Sequence, residues 1–185
     1  MSGRGCVVAL SLTGRWLLGL VLLGVMTTGC SGSSGSASSG SEGPAACSAI
    51  EQEALDPNFL IHVLPGATSV RYRTDPPTSG AHQPAPRLAR VQHRPLPRPV
   101  QVGVLEAGDV LLQYRDLRSS DIDRLERLAG GHVVIAPDPD LPRRFRVVAT
   151  GWLHKRTCTA LDTDALEEFV HQRGGKGPDS AQGDG

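Results

Sequence analysis

Between residues 47 and 176 the apolar positions fall into short runs punctuated by proline, glycine and charge, and the spacing inside each run predicts an element. Ser48 to Leu55 reads as a short helical turn stopped by Asp56-Pro57. Phe59-Leu60-Ile61-His62-Val63-Leu64 reads as a strand bounded by Pro65-Gly66, and Thr68 to Arg73 as a second short extended piece. Pro76-Pro77-Thr78-Ser79-Gly80-Ala81-His82 is a turn in which two prolines fix φ, Gly80 can take positive φ and the hydroxyls can close side-chain-to-backbone turns. Prolines at 84, 86, 95, 97 and 99 predict an extended surface segment from Gln83 to Pro99. Val100 to Leu105 and Asp109 to Arg115, divided by Glu106-Ala107-Gly108, read as a hairpin.

A helix capped by Ser119 or Ser120 is expected next, because Ile122, Leu125, Leu128 and Ala129 recur at helical spacing. His132 to Ala136 and Phe145 to Trp152 read as strands. Asp162 caps a last helix with Ala165, Leu166, Phe169 and Val170 on one face, ending at Gly174-Gly175. Paired strands with two one-sided helices imply an α+β fold: a small mixed or antiparallel sheet of about five strands with two covering helices.

Composition extends the domain reading outward. Aromatic residues make up only 4%, so Val, Leu, Ala and Ile must build the core. Residues 1–29 carry Arg4 and Arg15, an apolar block from Trp16 to Met26 and the ending Thr27-Thr28-Gly29 before Cys30, the pattern of a signal peptide with a lipobox. Thr27 stands where an aliphatic residue is usual, and plain secretion with cleavage near Gly29 is the alternative. Residues 30–46 form a tether rich in Ser and Gly, the flexible spacer that a lipid-anchored domain needs. The domain is then 47–176, and 177–185 is a polar tail expected to be disordered. Cys6 leaves with the leader and Cys30 becomes the lipid attachment site. Cys47 and Cys158 remain in an oxidising compartment, and a disulfide between them is predicted.

Charge removes one class of partner. Without Arg4 and Arg15 the 19 basic residues fall to 17 against 19 acidic, a balance that argues against nucleic acid. Locally the picture differs: Arg71, Arg73, Arg87, Arg90, Arg94 and Arg98 face one acid, Asp75, in the stretch around the proline turn. This stretch suits anionic envelope components, unless its arginines pair with the acids of the last helix, Asp162, Asp164, Glu167 and Glu168.

PPTSGAH at 76–82, VGVLEAGDVLLQY at 102–114, VVIAP at 133–137, VVATGW at 147–152 and a lone Cys158 before a terminal helix together resemble the Domain of Unknown Function 3105 family over about residues 47–178. The resemblance implies a bacterial envelope protein behind a lipobox or a membrane helix, with no established activity. Where family members usually read His-x-Leu-Glu-His-Gly, this chain has Gly103-Val104-Leu105-Glu106-Ala107-Gly108, so both histidines are missing.

Candidate ligand-binding residues therefore shrink to His62, His82 and Glu106, with His93 as a spare on an extended segment, against the three or four donors that a transition metal takes. In the bland alternative these side chains satisfy their own turns. A hydrolase built on Ser79 and His82 lacks a third group and a nucleophile-elbow pattern. The sequence thus points to a lipid-anchored protein on the extracytoplasmic face of the cell membrane. It favours a non-enzymatic binding or accessory module without a cofactor, whose partners are the membrane and anionic envelope components or another envelope protein. The alternative is a metal-binding protein or metal-dependent enzyme using His82 and Glu106.

Overall fold

The computed structural model describes residues 45–67, 70–84 and 88–180. The leader, Cys30 and most of the tether lie outside the described residues. The elements in chain order are β1 (Glu51–Gln52), α1 (Arg98–Glu106), β2 (Val110–Tyr114), α2 (Ser119–Glu126), β3 (Val133–Pro137), β4 (Val147–Gly151), β5 (His154–Cys158) and α3 (Thr163–Arg173). The strands form one mixed sheet in the order β1-β5-β4-β2-β3. Only β2 and β3 run parallel, with α2 as their crossover; the other three pairings are antiparallel.

Strands β2, β3 and β4 are apolar at nearly every position because both faces of the sheet are covered. Val110, Leu112, Val133, Ile135, Val147 and Ala149 pack on one side with Leu125 of α2 and Leu166 and Phe169 of α3. Leu111, Val134 and Ala136 pack on the other side with Val104 and Leu105 of α1. The α+β class and the five-stranded sheet are as expected, but three helices cover the sheet where two were predicted.

Several local expectations need correction. Residues 98–106 form a helix and not the first arm of a hairpin. Pro99 sits in its first turn, where a missing N–H costs nothing, and Pro99 to Leu105 are buried on all sides, so the run carries no helical stripe to read. Phe59 to Leu64 makes turns and one isolated bridge, His62 to His82, in place of a strand. Residues 51–52 are extended where a helical turn was expected, and His154–Cys158, too polar to be singled out, is a full strand. Ser119 and Ser120 lie inside α2, whose N-cap is Arg118 without a side-chain cap. Asp162 does cap α3, accepting from the Ala165 N–H at 3.1 Å.

The Cys47–Cys158 disulfide ties the start of the domain to the end of β5. Backbone hydrogen bonds flank it, from Ser48 N–H to Thr157 O at 2.8 Å and from Thr159 N–H to Ala46 O at 2.8 Å. The tail expected from Gly177 onward is held across the end of α1 at least as far as Ser180: Asp179 N–H donates to the Glu106 carbonyl at 3.1 Å and Gly175 N–H to the Gly108 carbonyl at 2.8 Å. Among the described residues no helix is long and apolar enough to cross a membrane.

Candidate metal centre

The proline turn is fastened on every side. Pro76 to His82 are all buried. Glu53 accepts from Thr74 Oγ1 and Thr78 Oγ1, both at 2.6 Å, and from Lys155 Nζ at 2.7 Å. The Ser79 hydroxyl accepts from the Asp56 N–H at 2.9 Å, and the Tyr72 hydroxyl donates to the Ala81 carbonyl at 2.7 Å. Burial, together with the nearby Asp56 charge, pushes the Tyr72 phenol up to about 12, so it remains a donor. Gly80 has φ of +128°, and a Cβ there would meet the Tyr72 ring at 2.9 Å. Only glycine fits this position. Arg98, the first residue of α1, bridges Asp75 before the turn and buried Asp138 beyond β3, and Asp138 in turn accepts from Gln113 of β2 at 2.7 Å. The turn is thereby set against the sheet.

That scaffold fixes one imidazole. His82 is fully buried, and its Nδ1 faces the Gly80 carbonyl at 2.9 Å. A carbonyl can only accept, so Nδ1 carries the proton and Nε2 presents its lone pair. Backbone bonds from His82 N–H to Ile61 O at 3.0 Å and from Val63 N–H to His82 O at 2.8 Å bring His62 alongside. The two rings meet edge to face, with centroids 4.8 Å apart. The Gln83 N–H to Pro99 O bond, 3.0 Å, ties the end of the turn to α1, whose last residue is Glu106.

The three sequence candidates therefore converge from three separate segments: their donor atoms lie within 4.8 Å of one another. Glu106 Oε2 sits in close contact with His82 Nε2. The approach is not that of a directed hydrogen bond, which leaves this buried nitrogen without a proper partner. Burial pushes the Glu106 carboxyl above its ordinary range; the His82 imidazole works against the shift, Asp179 adds to it and His62 opposes it. His93 stands apart, exposed on its proline-rich segment.

The donor set fits a first-row divalent cation. Two imidazoles and a carboxylate at bond lengths near 2.0–2.2 Å require donor-to-donor distances of about 3.3 Å in a tetrahedral shell. The cluster spans that value. The Gly80 carbonyl behind Nδ1 is the outer hydrogen bond that metal-binding histidines use to fix ring orientation. The C-terminal end of α1 adds partial negative charge beside Glu106. His62 is exposed, so the cluster opens to solvent on that side.

The Ser79 hydroxyl accepts from the Asp56 N–H, while the His82 imidazole meets the Gly80 carbonyl and the Glu106 carboxylate. The arginine stretch divides. Arg90 pairs with Asp109 at 2.6 Å and Arg98 with Asp75 and Asp138, whereas Arg71, Arg73 and Arg94 have no salt bridge among the described residues. None of the pairs runs to α3, whose Glu168 takes Arg156 of β5.

A disulfide-bonded α+β domain that gathers two histidines and a glutamate behind a proline-fixed turn is the class that fold and site define. The chain belongs to the family described as Protein of unknown function (DUF3105), whose profile matches residues 62–184. The match begins at His62, later than the sequence resemblance suggested, and runs further into the tail. No curated protein and no solved structure matches the chain. Glu106 is the last residue of α1 and the donor that this element contributes to the cluster.

Proposed function

We propose that this protein is a lipid-anchored module of the cell envelope that binds a divalent transition metal through His62, His82 and Glu106. The observation that carries the reading is the buried His82 Nε2: its ring is fixed from behind by a carbonyl, it lacks a directed hydrogen bond, and two further donors stand within reach. Nitrogen and oxygen donors of this kind suit zinc, iron(II) or copper(II) better than magnesium or calcium. Three protein donors leave a coordination position open, which suits reversible loading.

The Cys47–Cys158 disulfide supports an extracytoplasmic site, since such bonds persist in oxidising compartments. Two acyl chains on Cys30 would hold the domain at the membrane. Exposed Arg71, Arg73 and Arg94, without acidic partners among the described residues, favour a second contact with anionic envelope components. The metal reading is tested by elemental analysis and zinc calorimetry of the full-length, tag-free protein in detergent. The expected result is one equivalent of metal, lost in His82→Ala and retained in His93→Ala. A metal-free wild type that binds no zinc at micromolar concentration overturns it.

A further inference from the structure

Folding removes large apolar side chains from water, and single exceptions scattered over a surface carry no message. Here the exceptions are gathered. Among the described residues the exposed large apolar side chains are Leu55, Leu60, Ile61 and Leu64, all between positions 55 and 64. Leu60 is 78% exposed, Leu64 82% and Ile61 49%, while Phe59 and Val63 in the same loop are half-buried. The loop is held in shape by its own backbone. Phe59 N–H donates to Asp56 O at 3.1 Å, Ile61 N–H to Asn58 O at 2.9 Å and Ala67 N–H to Leu64 O at 3.2 Å, and the bonds of Ile61 and Val63 to His82 pin it to the buried turn. The leucines therefore stand on a fixed loop, with apolar surface in water that a contact would remove.

Charge indicates what that contact is. From Pro57 to Thr74 the chain carries no acidic residue. Arg71 and Arg73 are exposed and have no salt bridge among the described residues, and the half-buried Tyr72 between them donates to the Ala81 carbonyl at 2.7 Å. The leucine loop and the arginine segment are thus both fastened to adjoining residues of the turn, His82 and Ala81. We propose that they form a membrane-docking face, in which Leu60, Ile61 and Leu64 enter the acyl boundary of an anionic phospholipid surface and Arg71 and Arg73 engage its phosphates. Apolar area together with arginine charge is the combination that sets interfacial binding. Protein-binding hot spots are built mainly on Trp, Tyr and Arg, with leucine under-represented, so these aliphatic chains suit lipid better than a protein partner. The proposal rests on the lipid anchor in the reading above and is independent of the metal. A Ser- and Gly-rich chain as long as residues 31–46 has an r.m.s. span on the order of 20 Å, so an acylated Cys30 keeps the domain at the surface and docking has only to orient it.

The test uses the full-length, tag-free protein, reconstituted from detergent into vesicles of phosphatidylcholine and phosphatidylglycerol with brominated acyl chains. Flotation reads the anchor and tryptophan fluorescence reads the loop. After subtraction of the wild-type signal, Leu60→Trp is expected to emit at shorter wavelength and to be quenched by bromine several-fold more than Glu167→Trp, an exposed position on α3. Tryptophan has an interfacial preference of its own, so further changes are made in the Leu60→Trp background. Leu64→Asp is expected to lower the ratio of inserted to free loop by on the order of 10-fold. Arg71→Gln combined with Arg73→Gln is expected to lower it by on the order of 10-fold in the anionic vesicles. Far-UV circular dichroism is expected to stay at the wild-type signal throughout, because these side chains are exposed. Quenching of Leu60→Trp no greater than that of Glu167→Trp, in protein that floats with the vesicles, overturns the docking face alone and leaves the leucines to a protein partner. Quenching that Leu64→Asp does not change also overturns it, since the reporter would then be inserting by itself. A chain that does not float overturns the anchor reading and this proposal with it.

Discussion

Glu53 is the residue where burial and hydrogen bonding oppose each other most directly. Burial raises its pKa, but the hydrogen bonds from Lys155, Thr74 and Thr78, together with the Lys155 charge, bring the net value below the ordinary 4.5. A carboxyl with a depressed pKa in the folded state stabilises the fold above its unfolded value, and that stability is lost as pH falls through the folded one. Glu53→Gln also strands the buried Lys155 ammonium, so it is expected to cost about 2 kcal/mol at neutral pH. In urea titrations the gap between wild type and variant is expected to hold steady from pH 7 to near 4.5 and to close below that; a gap unchanged at pH 3 would contradict this account. Nothing in the sequence marked Glu53, because two glutamates at 51 and 53 near the start of the domain carry no recognisable pattern. His82 was marked, since prolines and a glycine packed against a histidine are legible as a rigid turn. Its partners within reach were named, but their meeting was not readable.

At the scale of elements, the two helices with a polar stripe were legible and the third was not. Asp162 caps α3 through its side chain, while α2 begins without a side-chain cap. Asp162→Ala is therefore expected to lower stability by about 1 kcal/mol, whereas Ser119→Ala and Ser120→Ala stay within about 0.5 kcal/mol of wild type, as read by thermal unfolding. Loss of stability in either serine variant equal to that of Asp162→Ala would reinstate the cap that the sequence suggested. The helix α1 was hidden by Val100, Val102 and Val104, whose alternation imitates a strand. A clue to it lay elsewhere. Strands apolar on both faces, as in VLLQY and VVIAP, need a layer on each side, and two helices on one face could not supply both. Strand β5 was hidden for the opposite reason: Lys155 and Arg156 are buried there only because Glu53, Glu168 and the Ala165 carbonyl receive them.

Across the whole molecule, the disulfide links residues 111 positions apart and closes nearly the entire domain into one loop. In the chain-entropy description such a loop contributes up to about 4.7 kcal/mol, with measured effects commonly about 2–4. Cys47→Ser is expected to lose an amount in that range, measured by denaturant unfolding without reductant; a loss under 0.5 kcal/mol would mean that the backbone bonds beside the bridge suffice without it. The sequence by itself determined the α+β class, the central strands, the last helix and its cap, the cysteine pairing and the rigid histidine turn. Each of these is written in local spacing or in a short inventory, and local chemistry is what a linear reading can weigh. Only the tertiary structure decided that α1 is a helix covering the second face of the sheet, that polar β5 is interior, that the tail crosses the Glu106 loop, and that His62, His82 and Glu106 share one point. Those outcomes depend on which distant groups arrive to cover a face or satisfy a buried charge, and that is settled by packing, not by the order of residues along the chain.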